Sequence, residues 1–405
     1  MKFLKYLIAV LSLYVFFHNP LFTFMGGIGS IKILDIISIF ILFISWNTIQ
    51  RYLIVFKKEI VVFLLIILYT IFRSLIGGDS NYIRSTLVAI IEIFVVPISV
   101  ICIINNYFSI PEKGFIRAIL ITGSVGAVIS TICITQPSFG LFVKYQLQML
   151  GDTLEEMEYR GFGISEALTS SYSYIQGLII VFGTIYLNEN KWFILAYPFI
   201  FISVILNART GIILIIIGLL VYFITSRKLK SFISVGVLMI VLFLSFNQII
   251  NKTNFIDENY FQLAETLVDE VSDMESERNL RGSATMDALL GQMIVFPDTF
   301  EEWIIGRGYS IFGTGKNITS DVGFILQLNY GGIIYLSLLF FLIVIIIKRM
   351  RFYHIDNWFV LLFFVTFLIC NFKGEMLPNT GIFRFLMILY IYKVLCKKQV
   401  LSEIE

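Results

Sequence analysis

The side chains best suited to chemistry are six arginines and three carboxylates. Arg160, Arg209, Arg278, Arg281, Arg307 and Arg384 all fall on the expected outer side, opposite the main Lys/Arg groups. A guanidinium is the residue of choice where a planar, always-charged fork must grip a phosphate or diphosphate. Arg209 is the sharpest case, pinned at the tip of a hairpin between two apolar runs, and Arg384 lies just inside the last run. For any one of them the alternative is an aliphatic stem in lipid with its head at the phosphate headgroups. That alternative is weaker for the set, to which Arg73, Arg84, Lys32, Lys144 and Lys373 also belong. Glu92, in Ile91-Glu92-Ile93-Phe94, Glu166 and Asp321 are the carboxylates that could take a proton from a reacting hydroxyl. Each has a second reading. Glu92 inside an apolar run needs an arginine partner or a proton, Glu166 suits the start of a helix, and Ser320 or Asp321 would cap one. Asp35 is read as a local partner of Lys32.

The elements that hold these groups follow from composition. Of 405 residues, 58% are hydrophobic and 14% charged, with a mean hydropathy of +0.88. About a quarter of a soluble chain is charged, so lipid must solvate most of this one. Apolar runs fall near 3–17, 31–49, 59–76, 85–104, 115–135, 164–187, 192–206, 211–225, 231–247, 322–347, 358–371 and 381–395. A span needs about 20 apolar residues, so an all-α polytopic membrane protein with about twelve transmembrane helices is expected, as a single domain over 1–405. The first run follows Lys2 and is read as a span, because His18, Asn19 and Pro20 replace a signal-peptide cleavage site.

Lys and Arg in the connections set the orientation. Lys2 and Lys5, Arg51 with Lys57 and Lys58, Lys113 and Arg117, Lys191, Arg227 to Lys230, Lys348 to Arg351, and Lys393 to Lys398 all fall on one side of such an arrangement. That side is expected to be the cytoplasm, with both termini in it. The opposite side then carries a small loop at 136–163 and a large one at 248–321, inserted before the last three runs. In the large loop, Tyr260, Leu263, Ala264, Leu267, Val268, Val271 and Met274 recur with helical period. Met286, Leu289, Leu290, Met293 and Ile294 form a second stripe. Both stripes are expected to be amphipathic helices packed on each other or on the membrane surface.

Other chemistries are excluded. The two histidines, His18 and His354, and four scattered cysteines give no metal-ligand spacing and no disulfide framework. The stretch Gly306 to Lys316 is not a nucleotide phosphate loop: Ser310 replaces its first glycine and Asn317 its Ser/Thr. A glycine-rich turn against a lipid diphosphate remains open for it. Nothing suggests nucleic-acid binding, a metal or a cofactor.

Several short segments carry a resemblance. Tyr159-Arg160-Gly161-Phe162-Gly163 precedes an apolar run, and Asn207-Ala208-Arg209-Thr210-Gly211 forms a hairpin. Arg278 and Arg281 precede an amphipathic stripe. Gly306-Arg307-Gly308 is followed by Ser320-Asp321-Val322-Gly323-Phe324 and Gly331-Gly332. In this order and topology the chain resembles the Wzy-type O-antigen and capsular polysaccharide polymerases of the O-antigen polymerase/ligase superfamily. The resemblance implies a GT-C-like fold in a bacterial cytoplasmic membrane. It implies a glycosyltransferase that joins undecaprenyl-diphosphate-linked oligosaccharide repeat units on the outer face without metal or cofactor. Membrane lipid, a chain-length regulator and a flippase would be its partners. Arg160, Arg209 and Arg281, then Arg278, Arg307 and Arg384, are the implied diphosphate or glycan contacts. Asp321, Glu166 and Glu92 are the candidate bases, unranked. The nearest relatives in function, the O-antigen ligases, typically place a histidine in the large loop, and this loop has none. A lipid-linked oligosaccharide flippase would show two similar halves and short loops.

Overall fold

The structure is a computed structural model, and it describes residues 2–18, 33–146, 161, 163–165, 169–208, 210–226, 293–309, 320, 322–375, 377 and 381–404. The elements among the described residues are all helices, with no strands. In chain order the helices are α1 (Lys2–His18), α2 (Ile33–Ile44), α3 (Trp46–Val55), α4 (Lys57–Leu75), α5 (Asn81–Ile90), α6 (Val96–Cys102), α7 (Glu112–Thr135) and α8 (Pro137–Gln146). They continue with α9 (Thr169–Ile185), α10 (Tyr197–Ile205), α11 (Thr210–Ser226), α12 (Phe300–Ile305), α13 (Gly323–Phe352), α14 (Asn357–Phe372) and α15 (Gly381–Ile404). The chain divides into two compact units, each built from separated segments: Met1–Ile37 with Cys102–Asp269, and Ser38–Ile101 with Glu270–Glu405.

Helices in both units are apolar on faces that stand exposed among the described residues. On α4, Val62, Phe63 and Ile66 are buried, while Leu64, Leu65, Leu68, Phe72 and Leu75 on the other face are exposed. A surface helix in water would put charge on that second face. Here lipid is the matching solvent, and the chain is a helical membrane protein. Three described helices are long and apolar enough to cross a membrane: 81–105, 112–135 and 323–352.

This differs from the expected twelve spans. The run at 31–49 is not one rod, because α2 and α3 meet at Ser45 with a bend of 101°; counted together they make a fourth span. Others are short. The 16 residues of α14 rise only about 24 Å against a hydrocarbon core of about 30 Å. The 19 residues of α4 include Lys57, Lys58 and Glu59 at one end and Arg73 at the other. The run at 231–247, both stripes of the large loop up to residue 292, and the small loop from 147 to 160 lie outside the described residues.

Several hydroxyls inside the apolar helices are satisfied locally. On α7 the Thr122, Ser124, Thr131 and Thr135 hydroxyls donate to carbonyls one turn back, so they cost the membrane little. The rod from α5 to α6 widens into π-helical turns at Ile91–Val95. Pro97 explains it: without an N–H, and with a ring that crowds the carbonyl four residues before it, it cannot continue a regular ladder.

In the first unit α7 is the hub, packed by α1, α9 and α10, while α11 lies along α9. In the second, α13 packs on α4, α12 and α14, and α15 lies against the π-helical turn. The second unit also holds a buried charge group. Arg349 of α13 donates to both carboxylate oxygens of Glu59 on α4, at 2.5 and 2.7 Å, and the Tyr390 hydroxyl of α15 donates to the same carboxylate. The guanidinium also lies over the Phe56 ring, 5.6 Å from its centroid.

Candidate functional site

Each unit carries one polar cluster built on the segments singled out from sequence. In the first unit the centre is the carbonyl of Gly161. It accepts from the Asn207 side-chain amide at 2.9 Å and from the Ser130 hydroxyl of α7. Asn207 donates also to the Ser203 carbonyl at 2.7 Å. The Ser173 hydroxyl of α9 lies within reach of two carbonyls of the same turn, those of Val204 and Ala208. Following residues of the strip are fixed too: the Tyr14 hydroxyl donates to the Ile164 carbonyl, and Ser165 donates to the His18 carbonyl. The hairpin between α10 and α11 is therefore clamped to the strip that begins at Gly161, though 46 residues separate Gly161 from Asn207. These are the flanks of the two arginine-bearing segments, 159–163 and 207–211. Arg160, Arg209, Glu166, Arg278 and Arg281 themselves lie outside the described residues.

Asn207 is fully enclosed, so its loss is not absorbed by water. Asn207→Ala is expected to cost about 1–3 kcal/mol by stranding polar groups, read as a lowered unfolding midpoint of the detergent-solubilised protein. Asn207→Asp should cost at least as much, since a carboxylate has no N–H to give the two carbonyls.

In the second unit the cluster is organised by a break in α13. Gly332 has φ +64° and ψ −164°, a conformation essentially restricted to glycine. The break frees the carbonyls of Asn329, Tyr330 and Gly331 from their helical partners. Replacement donors come from the Gly306-Arg307-Gly308 strip and from α4. The Arg307 N–H reaches Asn329 at 2.5 Å, the Gly308 N–H reaches Tyr330 at 2.9 Å, and the Tyr69 hydroxyl reaches Gly331 at 2.7 Å. The Asn329 side chain returns a bond to Val295 at 2.7 Å. The two glycine pairs seen in sequence are thus one structural device, a strip docked on a kink. A Cβ on Gly332 would lie 2.3 Å from the Ile304 carbonyl oxygen. Gly332→Ala is therefore expected to cost on the order of 1–3 kcal/mol from the backbone alone, plus the collision. The variant should accumulate poorly in membranes by immunoblot; wild-type levels and unfolding midpoint would show that the kink is not required.

The sequence-derived side chains of this unit are engaged as follows. Arg307 donates to Glu302 at 3.0 Å, to Asp298 at 2.7 Å and to the Phe296 carbonyl at 3.2 Å. The Asp298 N–H and the Arg307 guanidinium hold the Glu302 carboxyl below its usual range. Arg307 thereby staples α12, whose first turn is capped by Thr299, and its charge is met by two carboxylates. Arg384 lies 3.5 Å from Glu92, both buried, so the carboxylate of the fourth run has the arginine partner it required. The Arg384 Nε has no hydrogen-bond partner among the described residues. Ser320 accepts from the Val322 N–H ahead of α13; Asp321 lies outside the described residues.

Of the remaining members, sequence reasoning had Arg73 only within its set of outer-side cations and passed over the others. Arg73, 4% exposed, donates to the Gly306 carbonyl at 3.1 Å, and its Nε has no partner among the described residues. Tyr82 stacks on Tyr330 with ring centroids 3.5 Å apart and donates to Glu375 at 3.2 Å. Glu375 sits in the connection between α14 and α15 and is partly exposed. Gln327 and Asn371 exchange side-chain bonds of 3.0 and 2.9 Å, and Gln327 also reaches the Leu377 carbonyl; they fix the connection that carries it. Crowding by protein atoms raises the Glu375 carboxyl to about 8, an effect the Tyr82 hydrogen bond reduces. A signal was present in Asn371 to Glu375, an acidic residue in a short connection between two apolar runs. The tyrosines gave none, since in apolar runs they read as core. No group of His, Cys, Asp and Glu able to hold a metal occurs among the described residues.

Against known proteins, the chain matches neither a family model nor a curated sequence.

Proposed function

We propose that this protein is a polysaccharide polymerase of the Wzy type. It joins undecaprenyl-diphosphate-linked repeat units into O-antigen, capsule or exopolysaccharide on the outer face of the cytoplasmic membrane. The observation that carries the reading is the tie between Gly161 and Asn207, because it unites the flanks of the two arginine-bearing segments on which the resemblance rests. The energy for transfer lies in the glycosyl–diphosphate bond, so the site's task is to neutralise a departing diphosphate. Arg160 and Arg209 are the proposed contacts, with Arg278 and Arg281 of the large loop. Arg307 and Arg384 have carboxylate partners, which leaves them less charge to offer.

The proposed orientation has support within the second unit. Glu59 and Arg349 pair at one end of α4 and α13, and both belong to Lys/Arg-rich groups assigned to the cytoplasm. Arg73, at the far end of α4, bonds the Gly306 strip assigned outside. We further propose that both termini are cytoplasmic and that a chain-length regulator and a flippase act beside this protein.

Deleting the gene tests the reading. Surface glycan run on a gel beside a lipid-linked oligosaccharide extract should collapse to a single repeat unit still attached to its final acceptor. Long chains retained on undecaprenyl diphosphate would make the protein a ligase. Failure of even single units to reach the outer face would make it a flippase.

A further inference from the structure

Resting on the polymerase reading, we infer that Glu375, held by the Tyr82 hydroxyl, is the base that takes the proton from the acceptor sugar. Three features of the second unit point to it. First, among the carboxylates that a fixed element holds, Glu375 is both positioned and reachable. Glu59 and Glu92 are buried against Arg349 and Arg384, and Glu302 is committed to Arg307 and Asp298. Glu375 keeps part of its surface exposed, and its only hydrogen bond among the described residues is the one from Tyr82. Second, the cluster around it is incomplete. The Arg73 Nε and the Tyr330 hydroxyl are buried and lack partners among the described residues, and buried donors normally have acceptors. A glycan hydroxyl or a phosphoryl oxygen would supply them. Third, the groups facing the carboxyl are suited to a base. Tyr82 on α5, with Tyr330 and Tyr335 on α13, surrounds it. Arg73 and Asp79 act on the same Tyr330 hydroxyl, and Lys373 lies two residues earlier on the same connection. The crowding that lifts the carboxyl toward 8 makes its ionised form a stronger base than an ordinary glutamate.

The step balances. The acceptor hydroxyl oxygen forms a bond to the donor's anomeric carbon as its O–H proton passes to the Glu375 carboxylate. The anomeric carbon–oxygen bond to the lipid diphosphate breaks, and its electron pair leaves on the diphosphate. The proton on Glu375 then exchanges with solvent through the exposed edge.

The test uses membranes carrying the full chain, supplied with lipid-linked repeat units extracted from the deletion strain, with chain lengthening followed against pH. Wild type should lengthen chains faster as pH rises through about 8. Glu375→Gln should reach the membrane at wild-type level and lose on the order of a hundredfold or more of the rate. Tyr82→Phe removes the bond that favours the ionised form, so its rising limb should move to higher pH. Glu375→Gln working within threefold of wild type would overturn the assignment. If that variant fails to accumulate, Tyr82→Phe with an unmoved limb would overturn it. Wild-type membranes that leave the units unjoined would instead sink the polymerase reading itself.

Discussion

Arg349→Met is expected to remove most of the protein from the membrane. The Glu59 carboxylate is fully buried, and Arg349 is the one cation bonded to it among the described residues, through a two-pronged contact. Without Arg349 the carboxylate keeps, among the described residues, only the Tyr390 hydroxyl. Breaking a buried pair from one side typically costs about 3–5 kcal/mol, because the surviving charge stays desolvated. Natural domains have only about 5–15 kcal/mol in reserve. The double variant Arg349→Met, Glu59→Gln leaves no charge behind and should recover much of the loss. Tyr390→Phe, which deletes one neutral donor, should be the mildest of the three. Immunoblots of membrane fractions and unfolding midpoints in detergent would rank them. An Arg349→Met protein as abundant and as stable as wild type would mean that the carboxylate protonates or hydrates there at little cost.

The Glu59–Arg349 pair shows where sequence reading stops. In Lys57-Lys58-Glu59 the glutamate looks like one of several charges at a membrane edge. Only the packing of α4 on α13 decides that it faces inward while its lysine neighbours do not. The same limit applies to the Gly306 strip and the kink at Gly332. Both glycine pairs were visible, but periodicity does not encode which distant backbone will lend its N–H groups to carbonyls freed by a kink. Glu375 was hidden for a related reason, since its environment comes from Tyr82, nearly three hundred residues away. What was legible followed from local rules. Apolar composition dictated helices in lipid, a carboxylate amid Ile91 and Ile93 needed an arginine or a proton and has Arg384, and the polar break after Leu206 separates α10 from α11. The number of spans was not legible, because hydropathy marks where the chain is apolar but not how long a straight helix forms there: α14 has only 16 residues, and the run through Ser45 bends by 101°.

Arg209→Ala carries the second large expectation, a loss of polymer length without loss of protein. The residue sits between Ala208, whose carbonyl lies 2.5 Å from the Ser173 hydroxyl, and Thr210, where α11 begins. Asn207 and Ser173 hold the residues that precede it in the turn. Removing the guanidinium should therefore spare the fold and remove only what it contacts. A charge-assisted bond to a diphosphate is worth about 1.5–3 kcal/mol. If it strengthens as the diphosphate departs, losing it slows transfer roughly ten- to a hundredfold or more. Arg209→Lys keeps the charge but not the fork, so it should rescue poorly where two oxygens are gripped together. Arg281→Ala should behave alike if both arginines meet the same leaving group, and the pair should then be non-additive, since a clamp that has lost one jaw gains less from the other. Surface glycan on a gel, normalised to membrane levels by immunoblot, reads all four variants. Normal ladders from both alanine variants would show that the diphosphate is neutralised elsewhere. Asn207→Ala in the same series separates the two roles: it should lower the unfolding midpoint, which Arg209→Ala should leave unchanged.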